Sequence, residues 1–77
     1  MIFEAVKEII ADVLSLEADS ITMESNLMDD LGADSLDAVQ IVMAAEDRFE
    51  ITVEDEDIEK MTTVGDIVDY IQEKTQD

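Results

Sequence analysis

LGADSLDAVQIVMAAEDRF, residues 31–49, decides the fold. At about 100° per residue, Ala38, Ile41, Val42, Ala45 and Phe49 fall on one stripe, the pattern of a helix with one face against a core. The spacing predicts a helix from near Ser35 to about Phe49. Asp34 stands where an N-cap is needed, and Asp37, three residues on, makes a weak capping box with Asp in place of Glu. The opposite face is less usual. Leu36, Gln40, Met43 and Asp47 lie within a strip about 60° wide on the far side, so two large apolar residues are directed away from the core, among Asp37, Gln40, Glu46 and Asp47. Single exposed apolar residues are ordinary. A leucine and a methionine inside an acidic rim also suit the anchoring of partners, because the flexible thioether adapts to several surfaces.

Outward from this helix, Ile2, Val6, Ile9, Val13 and Leu16 have helical spacing, widened by Phe3 and Ile10, and predict a first helix over 2–16. The polar stretch from Leu16 to Asp34 is long for a loop. Its apolar residues Ile21, Met23, Leu27, Met28 and Leu31 are expected to pin it over the core. Beyond Phe49, ITV at 51–53 has no β-rich partner and is expected to be a buried linker. A short third helix is expected around Asp55–Lys60, and Thr63 caps a fourth in which Val64, Ile67, Val68 and Ile71 recur at i, i+3, i+4, i+7. The expected fold is all-α: a single domain over 1–77, a small bundle of three longer helices and one short one, with a long loop between the first and second.

Composition narrows the function. No cysteine and no histidine occur, which removes thiolate chemistry, disulfides, and the commonest general base and metal ligand; no specific metal site is expected, and the chain is not expected to be an enzyme. The 22 acidic residues against Lys7, Arg48, Lys60 and Lys74 give a net charge of −18, so nucleic acid and anionic membrane are poor partners. The acids form either a merely solvated surface or a field that steers the chain toward basic patches on proteins. No run approaches a membrane span, and MIFEAVKEII lacks a leader's basic start, so a cytoplasmic protein with no stable membrane insertion is expected; a monomer is expected as well. A calcium-sensor loop fails on spacing: counting back from Gly32 and Gly65 to its first position gives Leu27 and Lys60, not acids.

Ser35 has no activating base nearby in sequence, so it is not a self-sufficient nucleophile. Serine beside aspartate at a helix start is commonly just a cap. A helix N-terminus also presents free N–H groups and a positive dipole end, which accommodate a phosphate carried on that hydroxyl.

DLGADSLDAVQIVMAAEDRFEI, residues 30–51, resembles the core of an acyl carrier protein, with Asp34-Ser35-Leu36 in the place of that family's DSL motif. VKEIIADVL, ITMESNLMDDLGADSLD, EDEDIEKMTTV and VGDIVDYI extend the resemblance to stand-alone, type II carriers over nearly the whole chain. The resemblance implies that Ser35 carries 4′-phosphopantetheine, installed from coenzyme A by a phosphopantetheinyl transferase, with Asp34 helping complete that enzyme's metal coordination. It implies acyl thioesters as cargo, and docking through Leu36, Asp37, Gln40, Met43, Glu46 and Asp47 on acyltransferase, ketosynthase, reductase and dehydratase enzymes with basic patches. It also implies that acyl chains enter an interior lined by Leu27, Val42, Ala45, Val53, Ile58, Met61 and Ile67. Gln40, Arg48, Ala45 and Glu54 depart from the usual pattern; Gln40 and Arg48 should weaken attraction to some basic partners. Fatty acid synthesis is the default pathway and polyketide or other specialised acyl transfer the alternative. A different class, an unmodified acidic interaction module, would tolerate Ser35→Ala.

Overall fold

Helix α1 runs Ile2–Leu14, α2 Ser35–Phe49, α3 Asp55–Ile58 and α4 Val64–Thr75, with a 3₁₀ turn at Ala18–Ser20. The computed structural model describes residues 2–75. Among them there is no strand, only an isolated antiparallel bridge between Asn26 and Thr63. The bundle of three longer helices and one short one is the architecture that the periodicity predicts.

The core follows from the helical stripes. Val6 and Ile10 of α1, Ile41 of α2, and Val64, Ile67 and Ile71 of α4 are its largest fully buried side chains. Truncating any of these isoleucines to alanine would cost about 2–5 kcal/mol, because a thin core has little material to refill the space. Helix α1 packs against both α2 and α4, while α3 touches α2.

Two ends differ from expectation. Helix α1 stops at Leu14, not Leu16, because Ser15 turns left-handed (φ 57°) and the Leu16 N–H donates to the Ala11 carbonyl at 3.0 Å, the six-to-one closure of a Schellman motif. Glu50 (φ 56°) ends α2 the same way, with the Ile51 N–H on the Glu46 carbonyl at 3.1 Å. Helix α3 ends at Ile58, two residues short of Lys60.

The long loop is pinned, but by fewer residues than its composition offers. Ile21 and Leu27 are buried and Leu31 half-buried, whereas Met23 and Met28 are exposed. Backbone bonds do the rest. Leu27 N–H donates to the Thr62 carbonyl (3.0 Å) and Val64 N–H to that of Ser25 (3.0 Å), stitching the loop to the start of α4. Gly65 permits this approach: its N–H reaches the Met23 carbonyl at 2.8 Å, and a Cβ there would sit 3.0 Å from the same oxygen. The 51–53 linker is not a strand; Val53 is buried and Ile51 half-buried.

Candidate functional site

The start of α2 is built by its cap. Asp37 N–H donates to Asp34 Oδ1 at 2.9 Å, and Asp34 N–H to Asp37 Oδ2 at 3.3 Å: both halves of the capping box are present. Because Asp34 performs the capping, the Ser35 side chain is not needed for it. Ser35 is exposed in the first turn, ahead of the first intrahelical bond from Ala38 N–H to the Asp34 carbonyl (2.9 Å). Its hydroxyl therefore stands at the positive end of a 15-residue helix, where a phosphate is favoured. Asp34 Oδ1 is committed to the cap.

Around Ser35 lies an apolar surface. Leu36 is 72% exposed, Met43 60% and Met28 53%, with Val39 beside them. The strip read from periodicity is real for Leu36, Gln40, Met43 and Asp47, all exposed, while Asp37 is half-buried in its capping role. Glu46 is half-buried, and its Oε2 accepts the Val53 N–H at 2.8 Å, bracing the linker against α2. Arg48 points its charge at α1, with Nη1 3.6 Å from Glu8 Oε1.

Two residues of this surface escaped the sequence reading. Val39 falls between the two helical stripes. By composition Met28 is a loop-pinning residue, yet Asn26 Oδ1 accepts the N–H groups of Met28 (3.0 Å) and Asp29 (2.9 Å) and Asp30 Oδ2 that of Asn26 (2.7 Å). This turn presents the methionine outward. An asparagine followed by acids was the available signal, since such side chains fold back on their own backbone.

A cleft of about 770 Å³ opens next to Ser35. Its walls are Asn26, Leu27 and Met28 of the loop, Ala38 and Val39 of α2, and Asp55, Ile58, Glu59, Met61 and Thr62 across from them. Of the residues expected to line an interior, Leu27, Ile58 and Met61 are brought together here. Val42, Ala45, Val53 and Ile67 are not on its walls; all four are buried. The cleft follows only the first turn and a half of α2, and Val42 and Ala45 lie further along the same face, where packing is closed.

Among the described residues no cluster of acids is arranged to hold a metal ion, and no helix is long and apolar enough to cross a membrane.

Residues 4–71 match the family described as "Phosphopantetheine attachment site". The chain is 53% identical over 77 residues to an acyl carrier protein of Clostridium acetobutylicum, covering 100% of both. It is 57% identical over 74 residues to one of Clostridium perfringens, covering 96% of this chain and 97% of the relative. Among solved structures it is similar to an acyl carrier protein of Enterococcus faecalis, at TM-score 0.81 and 40% identity over 96% of this chain and 94% of that one. A structure described as "a putative acyl carrier protein" from Mycobacterium tuberculosis has TM-score 0.88 and 33% identity over 94% and 96% of the two chains.

Proposed function

The chain belongs to the acyl carrier proteins, and from that premise we propose that Ser35 is where its 4′-phosphopantetheine is attached and that the cleft beside it receives the acyl chain. It is a carrier and not an enzyme. When bound, the group supplies a thiol that holds acyl chains as thioesters, whose carbonyl is more electrophilic and whose α-protons are more acidic than those of oxygen esters.

The observation that carries the assignment is that Ser35 is exposed in the first turn of α2 while a neighbouring side chain does the capping. Hydroxyl, free first-turn amides and dipole then favour a phosphodiester. The chain has no histidine, and the Asp34 and Asp37 carboxylates are engaged in the capping box, so the base belongs to the phosphopantetheinyl transferase, and the second Asp34 oxygen, Oδ2, joins a metal that enzyme holds. The apolar side chains of Leu27, Val39, Ile58 and Met61 suit a hydrocarbon, each buried methylene being worth about 0.8 kcal/mol.

Leu36, Val39, Met43 and Met28 form the apolar centre of the docking face, with Asp37, Gln40 and Asp47 as its polar rim. Basic patches on acyltransferase, ketosynthase, reductase and dehydratase enzymes of fatty acid synthesis are the complementary partners, met by a monomer in the cytoplasm. Rim charges mainly raise association rates, and a carrier that visits many enzymes needs fast arrival and departure.

The test is an intact mass after incubation with coenzyme A and a broad-specificity transferase. The expected result is a gain of one phosphopantetheine in the wild type and none in Ser35→Ala. No gain in the wild type, with a control carrier modified alongside, would remove Ser35 from the role.

A further inference from the structure

Residues 54–61 form a flap fixed at both ends. Before it, Val53 N–H donates to Glu46 Oε2 (2.8 Å); after it, the Thr62 carbonyl accepts from Leu27 N–H (3.0 Å). Between these anchors the backbone bonds are local, from Asp57 N–H to the Glu54 carbonyl (2.9 Å) through Met61 N–H to that of Ile58 (3.1 Å). Helix α3 has four residues and no side-chain bond at its cap, too few to be stable unaided. Glu54, Asp55, Glu56, Asp57 and Glu59 repel one another along it. Ile58 holds it from the cleft side, and it packs on α2 but not on α4. The tie from α4 is Tyr70, which donates its hydroxyl to Asp57 Oδ2 at 2.8 Å.

We propose that Tyr70 is a positioning residue, a latch whose hydroxyl on Asp57 holds α3 closed as the outer wall of the cleft beside Ser35. The geometry favours a latch over a packing contact. A cleft of about 180 Å³, lined by Asp57, Lys60, Asp66, Asp69, Tyr70 and Glu73 among others, lies between α3 and α4, so the hydroxyl bridges a gap instead of finishing a packed seam. Breaking it frees α3 to swing on its two anchors while α1, α2 and α4 keep their mutual contacts. Burial raises the Tyr70 pKa, and its bond to Asp57 raises it further, so the phenol keeps the proton that it donates. The consequence for cargo rests on the carrier reading above; the latch itself does not.

The experiment uses the full chain without its prosthetic group. Tyr70→Phe keeps the ring, and with it the contact to Lys74 Nζ, 5.5 Å from the ring centre. Amide hydrogen exchange at Ile58, Glu59 and Met61 is expected to quicken about 3- to 10-fold, the range a net hydrogen bond supports. Asp57→Ala should match it, Asp57→Asn should show less because its amide oxygen still accepts, and Asp57→Ala with Tyr70→Phe should go no further than either alone. In parallel, the neutral apolar dye N-phenyl-1-naphthylamine should bind Tyr70→Phe more tightly by a similar factor. Exchange within twofold of wild type, multiplying effects in the double variant, or unchanged dye affinity would each overturn the latch. Failure of Ser35 to gain mass would leave all three readouts standing and would count only against the carrier site.

Discussion

Replacing Asp66 by alanine tests how the start of α4 holds the end of the cleft wall. Asp66 Oδ2 accepts the N–H groups of Thr62 (2.9 Å) and Thr63 (3.0 Å), and its own N–H donates to Thr63 Oγ1 (3.2 Å). It is thus the N3 member of a capping box whose loss costs about 1 kcal/mol, with a further few tenths from the helix dipole. Against this stands a gain, because the variant removes one charge from a chain at −18 and places alanine in a helix. Asp69→Ala supplies the control: Asp69 is exposed, in the same helix, and carries the gain without the cap. The two variants are expected to differ by about 1.5 kcal/mol in urea denaturation at neutral pH. For a domain this small that is about 6–12 °C in melting temperature.

The same comparison has a pH arm. Asp66 titrates below the ordinary 3.8, held down chiefly by the Thr63 backbone N–H and next by that of Thr62. A depressed folded-state pKa means that the stabilisation is complete above the unfolded value and lost as pH falls through the folded one. The gap between wild type and Asp66→Ala should therefore narrow below pH 3.8, modestly, since the carboxylate is exposed and solvent-screened. The bare stability of the wild type is not the readout, because protonating the other acids relieves repulsion at the same time. Equal stabilities for the two alanine variants, or a gap constant down to about pH 2, would refute the cap.

Glu50→Gly should stabilise the chain by about 0.5–1 kcal/mol in urea, since Glu50 holds φ at 56°, a conformation costly for a side chain and free for glycine; no shift in the midpoint would contradict this. Raising salt from low ionic strength, or adding magnesium, should raise the melting temperature by screening the acids, and a flat response would show that repulsion is not what limits stability. Leu36→Ala and Met43→Ala should leave stability within about 0.5 kcal/mol, because both side chains are mostly in water. They should lower kcat/KM with a partner ketosynthase about tenfold or more, as loss of an interface anchor does; unchanged transfer would take them off the docking face.

Sequence periodicity located the helices because it records which face of each is apolar. Asp34 and Asp37 marked the start of α2 because capping is local chemistry, and both bonds formed. Depth and tertiary partnership are not local. Val42 and Ala45 share a stripe with Ala38, and nothing along the chain says that the cleft follows only the turn holding Ala38. Glu46 reads as a surface acid until the linker folds back and brings the Val53 N–H to it. Met23 and Met28 look like loop anchors because apolar residues in a loop commonly are; backbone bonds at Leu27 and Gly65 held the loop instead. Tyr70 belonged to the fourth helix in sequence, and its bond across to Asp57 has no signature in spacing.

Three of the four basic residues are already occupied. Lys7 Nζ lies 3.3 Å from Glu4 Oε2 and 4.9 Å from the Phe3 ring centre, Arg48 reaches Glu8, and Lys74 sits over Tyr70. The acids around α2 are left with neutralisation from solution, a diffuse sheath of sodium, potassium and magnesium gathered near the surface. A basic protein arriving there displaces part of that sheath, and the freed ions gain translational entropy. Calorimetry of such an encounter should record little heat, with an association constant that falls as a power of the salt concentration.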